Sequence, residues 1–192
     1  IQSNPSLHSV AWSADLAVHE GIPGHYLQSY AWQHAFADHK APVRFVGIPD
    51  FVALCTDYWG PNLATEGWAV YAEELMLEHG FFTPPEALCV LVSRAIREVR
   101  VIADASLHTG RMTTEEAEAY LVREACASPE LAATEVLRYK WIPVQGPAYA
   151  LGRADIVALR DAQRERDGAD FDLRAFHQRL LSYGPVPPAK VG

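Results

Sequence analysis

Apolar positions recur at helical spacing along most of the chain, in stretches separated by Pro and Gly, and alternating strand-like patterns are scarce. The first periodic stretch runs from about Ser13 towards Asp38, with Ser13 as candidate N-cap and an interruption at Pro23-Gly24. The next opens after Pro61 and stops at Gly80, so both of its ends carry signals. A long one follows from Pro85 to about His108, apolar at Leu88, Leu91, Val92, Ala95, Val99 and Ile102. "MTTEEAEAYLVREA" starts with a capping arrangement, Thr113 or Thr114 ahead of Glu116 or Glu115. "SPELAATEVLRYK" has Ser128 as N-cap and Pro129 at the first helical position. Two more helices are expected, from about Pro147 to Arg164 and from about Asp172 to Ser182. The span 41–50 reads as irregular, and "VRFVGI" at 43–48 is the best strand candidate. The pattern predicts a mainly α chain with few or no strands, organised as a single helical domain over residues 1–192.

Composition narrows what such a chain can be. A formal net charge of -8 without a basic block argues against nucleic acid and anionic lipid as partners. No apolar run reaches the roughly eighteen residues of a membrane-spanning helix. Cys55, Cys89 and Cys126 have no C-x-x-C spacing and read as free thiols. The chain starts at Ile1, which suggests a part of a longer protein. The compartment is left open by this, with the cytoplasm favoured.

One stretch carries candidate chemistry. "HEGIPGH", residues 19–25, resembles the zinc-protease signature H-E-x-x-H with two residues added. On an ideal helix His19 and His25 would point roughly 120° apart, too far for one ion. Gly21, Pro23 and Gly24 are poor interior helix residues, however. Two outcomes follow: a bulge that realigns the histidines, or a helix-turn-helix whose histidines merely mark its ends. Further along, Arg100, Asp104 and His108 are spaced four and four and share a helix face. They form either a solvated stripe or a polar line turned towards the site, with His108 contacting substrate or the surroundings of a metal.

Five segments in series widen the reading: "VHEGIPGHYLQ" (18–28), "EGWAVYAEEL" (66–75), "RVIADASLHTGRMTTEEAEAYL" (100–121), "EVLRYKWIPVQGPAYALGRADIVALR" (135–160) and "FDLRAFHQRLLSYGPVP" (171–187). Together they resemble the C-terminal catalytic part of the DUF885 family, bacterial proteins similar to zinc metallopeptidases of the gluzincin type. The resemblance implies a motif matched at His19, Glu20, Pro23, Gly24, His25 and Gln28. It implies zinc as cofactor, His19 and His25 as ligands, Glu20 as general base, and Glu66 as third ligand. Gly67 would let a neighbouring backbone come close. Glu73, on the same helix face as Glu66, would orient a histidine, and Gln28 would support the site. Tyr149, with Tyr139 in reserve, would stabilise an oxyanion, and Arg138 and Gln145 would contact substrate.

The expected activity is therefore hydrolysis of a peptide or small amide by a metal-activated water. The expected partner is a helical N-terminal region, as in longer family members, or a second copy of the chain. Two alternatives stand beside this: a non-catalytic helical scaffold or binding domain, and a zinc hydrolase of non-peptide amides or esters.

Overall fold

A computed structural model describes residues 9–37 and 62–191. The span 41–50, with the strand candidate at 43–48, and Cys55 lie outside the described residues. Among those described, every regular element is helical, as the apolar periodicity predicts. In chain order they are α1 (Val10–Glu20), α2 (His25–Ala35), α3 (Asn62–Glu78), α4 (Pro84–His108), α5 (Thr114–Ala125), α6 (Pro129–Trp141), α7 (Gln145–Asp167) and α8 (Leu173–Ser182). Short 3-10 turns occupy Gly168–Asp170 and Pro188–Lys190.

Helix ends follow local chemistry closely. Thr113 Oγ1 accepts from the Glu116 backbone N–H, and Glu116 Oε2 accepts from the Thr113 N–H, a reciprocal capping box. Ser128 caps α6 at the Leu131 N–H, with Pro129 at the first helical position. Asp172 caps α8. The start of α1 departs from expectation. Ser9 is its N-cap, accepting from Trp12 N–H, while the Ser13 hydroxyl donates to the Ser9 carbonyl inside the first turn. The stretch expected as one interrupted helix is two, α1 and α2.

α3 is the axis of the structure. From Gly67 to Glu73 every residue is buried, polar and apolar alike. It packs most extensively on α7, where Gly67 and Gly152 face each other. A Cβ on either would overlap the other helix's backbone, so the absence of side chains permits this approach. The neighbouring backbone expected at Gly67 is thus that of Gly152.

α4 buries a different face from the one its apolar residues suggest. Leu88, Leu91 and Ile102 are exposed, whereas Arg97, Arg100 and Asp104 are buried. Polar pairing overrides the apolar stripe here, because each buried charge meets a partner on another element. Arg100 donates to both carboxylate oxygens of Glu135 on α6, at 2.6 and 2.9 Å. The remaining inner face of α4, Ile96, Val99 and Ala103, forms a core with Ala117, Leu121, Val136 and Tyr139. A second core joins Trp68 and Tyr71 of α3 to Ile156 and Phe176.

Candidate metal centre

The H-E-G-I-P-G-H segment turns rather than bulges. α1 closes at Glu20 with the Gly21 N–H on the Ala17 carbonyl, and the Ile22–Pro23 peptide is cis. The Gly24 N–H then reaches back to the Val18 carbonyl at 3.1 Å, and the Tyr26 N–H to the Gly21 carbonyl at 3.1 Å. A Cβ on Gly24 would overlap the carbonyl oxygens of His19 and Val18, so the tight return requires glycine. α2 begins at once with His25. Although the helix is broken, the histidine rings lie 4.7 Å apart, edge to face. Both alternatives read from the spacing were incomplete: the chain turns, and the two rings still meet.

Glu66 on α3 completes the group. Its Oε2 lies 3.5 Å from His19 Nε2 and 3.5 Å from His25 Nε2. One ligand atom from each of the three residues falls within 4.8 Å of the others. Two ligand atoms held tetrahedrally at zinc distances are about 3.4 Å apart, close to the separations at Glu66. Glu66 Oε2 is also buried without a hydrogen bond, an arrangement that costs free energy unless something else satisfies it. The donor set of two imidazoles and one carboxylate suits zinc.

The outer contacts fix the His19 ring. Its Nδ1 lies 2.6 Å from Glu73 Oε1, which leaves Nε2 as the nitrogen aimed at Glu66. Glu73 Oε2 accepts from Arg97 Nη1 of α4 at 2.5 Å. Gln28 holds α2 in register by donating to the Ala64 carbonyl at 2.9 Å, while its Oε1 lies 3.3 Å from His25 Nδ1.

Electrostatics follow from this crowding of carboxylates. Burial opposes the charged form of His19, yet contact with Glu66 and Glu73 more than offsets it and raises its pKa to about 9. Burial likewise raises Glu66, but His19 and His25 outweigh it and hold the carboxyl well below its ordinary range. Asp15, one turn before His19, is almost wholly enclosed. Burial, followed by the charge of Glu73, pushes it up to about 6.

A second polar group flanks the histidines. The Tyr149 ring stacks at 6.1 Å on His19. The Tyr149 hydroxyl accepts from Arg138 Nη2 at 2.9 Å and from Gln145 Nε2 at 3.0 Å, so its own proton is left to donate. Gln145 Nε2 also reaches Glu66 Oε1 at 3.3 Å. Gln145 opens α7 directly after Val144, whose φ of 73° is strained for a β-branched residue. Asp104 holds that turn, its Oδ2 accepting the Val144 N–H at 3.0 Å.

The candidates therefore separate. His19, His25, Glu66, Glu73, Gln28, Gln145, Tyr149 and Arg138 are brought together, and Glu20 is exposed at the end of α1 beside His19. His108 is not among them. It sits about 16 Å along α4 from Arg97, with Nδ1 3.5 Å from Asp104 Oδ1. It reaches the site only through Asp104, whose other carboxylate oxygen holds the Val144 turn ahead of Gln145. Tyr139 donates to Glu135 at 3.0 Å, away from the histidines. The sequence reading missed Asp15 and Arg97. Asp15 was findable, since four residues before His19 is one helical turn on the same face. Arg97 had no local signal, because its partner Glu73 belongs to another helix.

Comparison with known proteins agrees with this arrangement of helices. The sequence profile of DUF885, described as a bacterial protein of unknown function, matches residues 6–191. The chain belongs to the DUF885 family. A crystal structure of a Colwellia psychrerythraea protein, provisionally described as a lipoprotein, is similar with a TM-score of 0.79 and 29% identity. A Shewanella oneidensis protein of unknown function, also provisionally described as a lipoprotein, has a TM-score of 0.72 and 32% identity. They are matched over 95% and 94% of this chain, which spans only 29% and 30% of their length. No curated protein matches.

Proposed function

We propose that this chain carries the metal site of a zinc-dependent hydrolase acting on peptide bonds. The observation that carries the reading is the convergence of His19 Nε2, His25 Nε2 and the unpartnered Glu66 Oε2, with His19 backed by Glu73. His19, His25 and Glu66 would hold a zinc ion, which would supply an electrophile for the scissile carbonyl and a water acidic near neutral pH. Glu20, adjacent to His19 and open to solvent, takes the proton of the attacking water and passes it to the leaving amine. Tyr149 faces the cluster with a hydroxyl whose acceptor side is filled by Arg138 and Gln145. Its proton is directed at an oxygen that gains negative charge as the carbonyl becomes tetrahedral. Glu73 and Arg97 keep the His19 ring from rotating, and Gln28 anchors the start of α2.

The test is Glu20→Gln. It should retain one zinc per chain and lose roughly 100- to 10,000-fold in kcat on a peptide substrate. Full activity in that variant would sink the assignment. Zinc uptake without turnover by the unsubstituted chain would instead favour a metal-binding module that needs the rest of a longer protein.

A further inference from the structure

The arginines around the site are not equivalent. Arg97 is paired with Glu73, Arg100 with Glu135, Arg153 with Glu74 and Arg160 with Glu78. Arg138 is also partly buried, yet no carboxylate lies within 4.0 Å of it among the described residues. Its Nη2 donates to two neutral acceptors, Gln145 Oε1 and the Tyr149 hydroxyl, each at 2.9 Å. The Nη1 and Nε N–H groups, on either side of Nη2, make no hydrogen bond to the described residues. Glu135 feels the charge of Arg138 but is already bound bidentately by Arg100. A partly desolvated cation without a counter-charge is unfavourable on its own and favours an anion on its open side.

We infer that Arg138 receives the terminal carboxylate of the substrate, so that the chain acts at or near a carboxyl end. This rests on the hydrolase reading above and names its substrate class. The free Nη1 and Nε N–H groups each offer a carboxylate oxygen a charge-assisted hydrogen bond, and the pairing becomes bidentate where the carboxylate displaces a neutral acceptor from Nη2. Its position relative to the metal residues sets the cleavage point. Gln145 bridges the two, 3.3 Å from Glu66 Oε1 on one side and 2.9 Å from Arg138 on the other, which places Arg138 within about 9 Å of Glu66 Oε1. An extended residue spans about 3.5 Å, so a carboxylate on Arg138 puts a bond one or two residues from the end beside the histidines. Tyr149, held by the same Arg138 nitrogen, then lies between the anchored carboxylate and the reacting carbonyl.

The test compares N-acetyl-dialanine with its C-terminal amide, and with N-acetyl-aspartate amide, which carries only a side-chain carboxylate. Binding to the metal-free chain is read by calorimetry or chemical-shift titration. The free acid should bind about 10- to 100-fold more tightly than the amide, the increment of hydrogen bonds to a charged group. Arg138→Gln should erase that preference, and Arg138→Lys should keep part of it. Equal binding of acid and amide by the unsubstituted chain would overturn the inference, as would a preference that survives Arg138→Gln. Tight binding of the aspartate amide instead would reassign Arg138 to a side-chain carboxylate. Because binding is read without zinc or turnover, an inactive chain would count against the hydrolase and not against the carboxylate site.

Discussion

Two histidines sit on opposite sides of α3 and are driven to opposite charge states. His19 is enclosed, yet its pKa rises to about 9 because Glu66 and Glu73 outweigh the cost of burial. His177, of α8, is lowered to about 4 by burial first and by the charges of Arg160 and His79 after it. Its Nε2 accepts from the Tyr71 hydroxyl at 2.8 Å, and its ring stands edge-on to Trp68 at 5.5 Å. Both environments are built from one helix. Glu66 and Glu73 are seven residues apart and share a face, while Trp68 and Tyr71 project from the other side. Burial alone therefore does not decide what a histidine does. Two carboxylates favour positive charge at His19, a proton or a metal ion in its place, whereas the surroundings of Tyr71 and Trp68 keep His177 a neutral packing residue.

The strongest way to break this contrast is Glu66→Gln. The amide keeps the volume but removes the anionic oxygen shared by both histidines. Zinc affinity should fall by more than the 10- to 100-fold that loss of an outer-shell partner costs, read by titration against a competing chelator. The pKa of His19, followed by NMR in the metal-free chain, should fall too, and that of His177 should stay where it is. Unchanged zinc binding would remove Glu66 from the ligand set and leave the two regions without their chemical distinction.

Acid sharpens the other half of the comparison. His177 is neutral in the folded chain, with a pKa below its unfolded value near 6.5. Its contribution to stability is therefore present above about pH 6.5 and is lost as pH falls towards 4. The loss should reach about 2 to 3 kcal/mol, the lower figure allowing for the partial exposure of the ring. Denaturant unfolding at pH 7.5, 5.5 and 4.0 should show His177→Gln losing less stability than the unsubstituted chain over this range. Parallel pH profiles would show that His177 is not held neutral.

The same contrast explains what could be read from the sequence. Helix caps were legible because Thr113 with Glu116, and Ser128 with Pro129, act within one turn. The i, i+7 relation of Glu66 and Glu73 was legible for the same reason. The buried face of α4 was not. Leu88, Leu91 and Ile102 mark an apolar stripe that stays exposed, because Arg97, Arg100 and Asp104 find Glu73, Glu135 and the Val144 N–H on distant segments. The histidine pair lay between these cases. The Pro-Gly step announced a departure from helix, but the meeting of the rings depends on the return of Gly24 onto the Val18 carbonyl. Residue spacing does not encode that return.

Trp68 joins the two sides of α3 and gives the smallest predicted effect. Its Nε1–H donates to the Pro23 carbonyl at 2.9 Å, inside the turn that sets His19 against His25, while its ring packs on His177. Trp68→Phe keeps much of the apolar contact and leaves the Pro23 carbonyl without that donor. The expected cost is about 1 kcal/mol of stability, the net worth of one hydrogen bond. Zinc affinity should drop by less than about tenfold, because Gly24 and Gln28 still hold the turn and the start of α2. A loss of zinc as large as that of Glu66→Gln would mean that the apolar side of α3 sets the geometry of the histidines. The carboxylates would then supply charge to a site that Trp68 shapes, and the two regions would be one unit.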